Sequence, residues 1–212
     1  MNEKFFDLKK EKQDRMINAA LKVFALHGYR HACTDDIVKE AAISKGLLFH
    51  YFGSKLGVYA FVYDYSVRYL LLELSTAVDA KETDLFTLMQ QVETGKMHAM
   101  CGYPYLQPFL NRAQTENVSE ALLAVEERKQ QLEDYLESVF ARADLGKYAS
   151  AEDAVKLRKM LELTIKGLMN ERILEDAFQP EMLYEEITEY LNLSRRLAER
   201  STQPSDEAFS EK

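Results

Sequence analysis

An all-α fold of about nine helices is what the sequence predicts, on three observations. Helix breakers are scarce: 8 Gly and 4 Pro occur in 212 residues, with the prolines confined to positions 104, 108, 180 and 204. Long stretches therefore run without interruption. Apolar residues recur three and four apart over most of the chain, the period of a helix with one buried face. Capping residues, among them Thr34, Ser44, Asp84 and Ser150, stand where those periodic stretches begin. With 47% hydrophobic residues, a chain of this length can bury a core that needs no disulfide or metal staple.

The first helix is expected over residues 7–27, with Ile17, Ala20, Leu21 and Phe24 on its buried face and Gly28 as its stop. A connector leads to Thr34, read as an N-cap, and Asp35 and Asp36 follow where carboxylates favour the helix dipole. The second helix, 35–41, spans about two turns; Ser44 opens a third over 45–51, and Gly53-Ser54 punctuates. The fourth, 55–78, is apolar on most faces, which predicts a helix sandwiched between layers and bridging a small head to a larger body. Thr83-Asp84 starts a fifth, ending near Met100. The stretch 101–111, broken by Gly102, Pro104 and Pro108, has room for one short helix. Three longer helices are expected over 115–143, 151–176 and 180–200, the last with Pro180 in its first turn. The polar tail 201–212 reads as disordered. The division expected is a head over 1–55, a body over 56–200 and that tail.

Charge is divided between these parts. The chain carries a net −8, but residues 1–56 carry +3 and the remainder −11. A basic head can meet phosphate locally while an acidic body discourages non-specific adhesion. The charged start of the chain lacks the apolar core of a signal peptide, and no window of 18 apolar residues runs uninterrupted, so a cytoplasmic protein without membrane contact is expected. Cys33 and Cys101 make neither a disulfide framework nor a zinc set and are expected to be packed thiols. His27 and His31 stand four apart, but Gly28 interrupts the helix and nothing completes a ligand set, so neither metal nor cofactor is expected.

Two short helices joined by a tight turn behind a supporting helix form the pattern of a helix-turn-helix. Ile37, Ala41, Ile43, Leu48 and Phe52 fall where such a unit needs apolar anchors. That leaves Lys45, Gly46, Leu47, Phe49, His50 and Tyr51 toward the end that enters a major groove and meets base edges. Thr34, Ser44, Ser54 and Lys55 are candidates for the phosphate backbone. The stretches Arg15–Tyr29, Thr34–Ser44 and Lys45–Lys55 are similar, in register, to the first four helices of the TetR family of regulators. The resemblance covers about residues 9–69. It implies a homodimer that binds double-stranded DNA at a palindromic operator and a body that senses a small molecule. Three residues depart from the family's usual pattern: Phe49 where Tyr is common, Ala42 where Gly is frequent, and Leu47 where a small polar residue is common. They bear on the operator sequence and leave the fold intact.

The body has no motif of its own. Tyr65, Tyr69, Phe86, Met89, Met97, Met100, Tyr103, Tyr105 and Phe109 form an aromatic and Met-rich run beside Pro-broken helices. Each alone reads as core; together they suggest a pocket for a largely apolar effector, with His98, Gln107 and Asn111 available to orient polar atoms. Leu157, Leu161, Ile165 and Leu168, with Leu183, Ile187 and Leu191, make stripes on the last two long helices that either form a dimer interface or face their own chain. The resulting expectation is a ligand-released repressor; the alternative is a DNA-bound adaptor that recruits a protein. No nucleophile–base pair, phosphate-binding loop or metal cluster suggests an enzyme.

Overall fold

The computed structural model describes residues 3–148, 150–174 and 178–200; the expected disordered tail, 201–212, lies outside them. Among the described residues there are nine α-helices and no strand. They are α1 (Lys10–His31), α2 (Thr34–Glu40), α3 (Lys45–Phe52), α4 (Lys55–Ala77), α5 (Leu85–Gly102), α6 (Leu106–Ala113), α7 (Ser119–Phe140), α8 (Ala151–Arg172) and α9 (Pro180–Arg200). The starts follow the caps: the Ser44, Ser54, Asp84 and Ser150 side chains accept the amides of Leu47, Gly57, Thr87 and Asp153. Thr34 is different. It is already helical, and Cys33, in extended conformation with no side-chain cap bond, takes the cap position. Gly28 bends α1 where the sequence placed a stop, with φ of 67°, a left-handed value that glycine adopts without a Cβ clash.

The helices form two hydrophobic clusters. The larger runs without a break from Phe5 through α1–α3, along α4 and into α5, α6 and α7. The helix α4 packs on α5 and α7 and also touches α1 and α3, the bridging position its apolar faces predicted. Where head meets body, the Phe109 ring lies 6.0 Å from Phe24 and 5.4 Å from Tyr59. The smaller cluster joins α5 to α8 and α9 through Phe86, Met89, Met100, Leu161, Ile165 and Ile187.

A second bridge was not visible in the sequence. α6 lies along α1, and the junction is fixed by polar contacts on both sides. Glu116 accepts the Tyr29 amide at 2.9 Å, and Glu120 accepts the Tyr29 hydroxyl. Burial alone would raise the Glu116 carboxyl, but the amides of Asn117, Tyr29 and Val118 and the charge of Arg112 outweigh it and hold it below the usual carboxylate range. On the other side, the Tyr103 hydroxyl donates to Asp14 at 2.6 Å, accepts from Lys10 at 3.0 Å and meets the Tyr65 hydroxyl at 2.6 Å. The head is thus tied to the body by α4 and by α6.

Candidate nucleic-acid interface and body cavity

The helix-turn-helix is built on buried anchors. Ile37, Ala41 and Leu48 have no exposed surface, while Ile43 and Phe52 pack against them half-buried. The turn is closed by the Ala42 and Ile43 amides, which donate to Lys39 and Val38 carbonyls at 3.2 and 3.0 Å. Closing it this tightly puts Ala42 at φ 51°, the left-handed region.

The anchors turn the start of α3 outward. Ser44, Lys45, Gly46 and His50 are exposed, and Leu47 and Phe49 are half-buried beside them. Lys45 donates to Asp35 at 2.8 Å across the helix pair; that bond and the carboxylate's charge raise its pKa against the small cost of burial. Its ammonium is therefore held at the mouth of α3, and a phosphate or base would exchange with Asp35 for it. Tyr51 is less free than expected: its ring lies edge-on to Phe5 at 5.7 Å and to His50 at 5.0 Å. Thr34 is half-buried at the start of α2, and Ser54 is exposed with its hydroxyl oxygen already accepting Gly57 N–H.

Lys55 already has partners within the chain. Its ammonium donates to the carbonyls of Tyr29 at 2.8 Å and Ala32 at 3.2 Å and lies 4.6 Å from the Tyr29 ring centre. The C-terminal carbonyls of α1, left without intrahelical donors, hold this charge. Lys55 fastens α4 to α1, which competes with the phosphate contact expected of it. The cysteines also depart from expectation: both are exposed. Cys101 lies 3.3 Å from a Glu181 oxygen, and burial followed by that contact raises its pKa, which keeps it a thiol.

In the body, a cavity of about 460 Å³ opens between α4, α5, α6, α7 and α8. Tyr63 and Leu70 on α4, Val92 on α5, Leu110 on α6 and Leu132 on α7 supply apolar wall. Of the nine residues expected to shape an effector pocket, only Met89 lines it. Tyr65 and Tyr69 are on the other face of α4, in a shallow groove with Phe6, Phe61 and Leu72. Phe86 and Met100 fill the smaller core, Phe109 and Tyr103 the larger, and Met97 stays half-buried beside Cys101. His98 faces Glu73 at 4.0 Å, but Gln107 and Asn111 do reach the cavity. Unforeseen are the cations Lys96, Lys129, Arg158, Lys159 and Lys166 in its lining. They come from three helices, so no local run of sequence announces them.

The leucine stripes of α8 and α9 face their own chain: Leu161, Ile165, Leu183, Ile187 and Leu191 are buried. A different face is left open. Met160, Leu163 and Leu174 on or just beyond α8, with Met182, Tyr190 and Leu193 on α9, are all exposed, and a Cβ added at Gly167 would meet nothing within 4 Å.

A short exposed helix presented by a three-helix head, carried on a helical body with a cavity, is a helix-turn-helix architecture. Residues 16–60 match the model of the bacterial regulatory proteins, tetR family. Over 78 residues the chain is 37% identical to YuxN of Bacillus subtilis (strain 168), an uncharacterized HTH-type transcriptional regulator; the match covers 35% of this chain and 26% of that protein. The fold extends the likeness through the body. A TetR family transcriptional regulator from Chloroflexus aurantiacus J-10-FL superposes with a TM-score of 0.61 at 22% identity, covering 94% of this chain and 93% of the other. A second such protein, from Shewanella sp. PV-4, gives 0.56 at 13% identity over 91% and 98%. Residues 16–60 thus resemble the tetR-family helix-turn-helix head, and the whole chain shares the fold of those solved regulators; the chain spans about a quarter of the length of the curated relative it matches. Among the described residues, no helix is long and apolar enough to cross a membrane.

Proposed function

We propose that this chain is a dimeric repressor that reads a palindromic operator with α3 and leaves it when a small molecule fills the body cavity. The observation that carries this is shared structure: the cavity is walled by α4 and α6, the two helices that also hold the head. A packed core transmits displacement, so a ligand that favours one placement of α4 and α6 biases the placement of the heads. The open apolar face of α8 and α9 fits a second copy, whose two-fold axis sets two reading helices about 34–36 Å apart in successive major grooves. The head contributes Lys45, Gly46, Leu47, Phe49, His50 and Tyr51 to the groove, and Thr34, Ser44 and Ser54 to the phosphates.

Selection of bound DNA from a random pool, followed by footprinting and release assays with metabolites, tests the reading. A palindrome with half-sites about one helical turn apart is expected. Random, non-palindromic winners would overturn it. The adaptor alternative draws on the apolar groove of Phe6, Phe61, Tyr65, Tyr69 and Leu72. An operator complex indifferent to every bound ligand, yet weakened by charge placed in that groove, would favour it.

A further inference from the structure

The cavity is not an apolar sack. Its five cations face four carboxylates, Glu93, Glu133, Glu137 and Glu162, and their pairing is uneven. Glu93, 6% exposed, takes Lys96 at 2.7 Å. Glu162 takes Arg158 at 2.5 Å and stands 3.9 Å from Lys159. Lys166 is held by the neutral amide oxygen of Gln114 at 2.8 Å and by no carboxylate among the described residues. Burial, then the charges of Lys159 and Lys96, push its ammonium below the usual lysine value, against a smaller pull from Glu162. Positive charge is thus in excess where α8 meets the end of α6.

The deeper end is lined by amides. Gln107, 7% exposed, donates to Asn111 at 2.9 Å, while its own Oε1 is buried without a donor. Both residues line the cavity, so a hydroxyl on an occupant has amide partners at this end. Gln107, Asn111 and Gln114 lie on one face of α6 and its C-cap, and the chain rises on the order of 10 Å from the first to the last. Between those ends the wall is apolar, with Leu110, Leu132, Leu136, Phe140 and Ile165.

We propose that the cavity takes an amphipathic monocarboxylate with its head between Lys159 and Lys166, an apolar body along α6, and a hydroxyl against the Gln107–Asn111 amide pair. A polyanion fits poorly, because the four carboxylates would repel its further charges. The proposal rests on the cavity being the effector site, and it replaces the largely apolar effector expected from composition.

Calorimetry on the full chain with 8-hydroxyoctanoate, octanoate and 1,8-octanediol tests it. The hydroxy acid should bind most tightly, with the diol about tenfold weaker or more and octanoate several-fold weaker. Lys166→Met, or Lys159→Met if the first misfolds, should cost the acid about tenfold and leave the diol unchanged. Gln107→Leu should abolish the preference for hydroxyoctanoate over octanoate. Equal binding of acid and diol, indifference of both lysine variants, or no binding by any probe would overturn the proposal. DNA release is scored separately. Acid binding without release keeps the site and removes its effector role; no acid binding with an operator still selected removes the site and keeps the DNA reader.

Discussion

Ala42 occupies the one non-glycine position with positive φ among the described residues, in the turn that sets α3 against α2. A Cβ in that region costs roughly 1–2 kcal/mol, partly offset by the greater freedom glycine has when unfolded. Ala42→Gly is therefore expected to stabilise the protein by about 0.5–1 kcal/mol, measured by urea unfolding. An unchanged or lower midpoint would show that the turn carries no such strain. Lys55 gives a second prediction at this scale. Because its ammonium binds carbonyls at the end of α1, Lys55→Met should lower stability by about 1–3 kcal/mol. The slope of log affinity against log salt should not change. A slope smaller by about one per subunit would return Lys55 to the phosphates.

At the scale of the element, α3 is exposed over its first turn and anchored by Leu48 and Phe52 behind. Substituting Lys45 or His50 should change which operator is preferred, by roughly 1–3 kcal/mol for each well-made hydrogen-bonded pairing with a base that the substitution removes. Tyr51 is expected to act differently, since its ring also packs on Phe5; Tyr51→Ala should lower stability as well as affinity. Competition binding with single-base operator variants checks both. Equal losses on specific and random DNA for Lys45 and His50 variants would remove α3 as the reading element. The phase of α4 shows why element-level reading stops short of the cavity. Tyr63 and Leu70 line it, whereas Tyr65 and Tyr69, on the same helix, lie in a groove on the other face. A helix apolar nearly all round offers no polar side from which its rotation can be read.

For the whole molecule, the open face of α8 and α9 and the cavity each make a prediction. Leu163→Glu with Met182→Glu places charge on that face without touching the buried leucines of the same helices. The double variant is expected to sediment as a monomer, keep its helical signal and lose most of its affinity for a palindrome, because one small head binds weakly. A dimer that survives would move the interface elsewhere. Filling the cavity should imitate its ligand. Leu132 lines the cavity and is 8% exposed, which makes it a position to enlarge. Leu132→Phe is expected to weaken operator binding about tenfold or more, with a stability cost of no more than about 1–3 kcal/mol. Undiminished operator affinity in a folded variant would separate the cavity from the head.

The sequence by itself determined what is local. Caps, breakers and apolar period located the helices, and α9 begins and ends where Pro180 and the loss of periodicity placed it. The helix-turn-helix was legible because it is packed into one continuous stretch, where spacing alone fixes which side chains are anchors and which are exposed. Even there, two residues carried information only three-dimensional contact supplies: Ala42, whose backbone is set by turn closure, and Lys55, drawn to the end of a helix more than twenty residues earlier. The body was decided by tertiary structure. Its leucine stripes are self-facing and its dimer candidate is the other face; its cavity charge comes from helices α5, α7 and α8, brought together by packing. Periodicity states that a helix has a buried side but not which neighbour covers it, because that depends on the rotational phase and crossing of several helices at once.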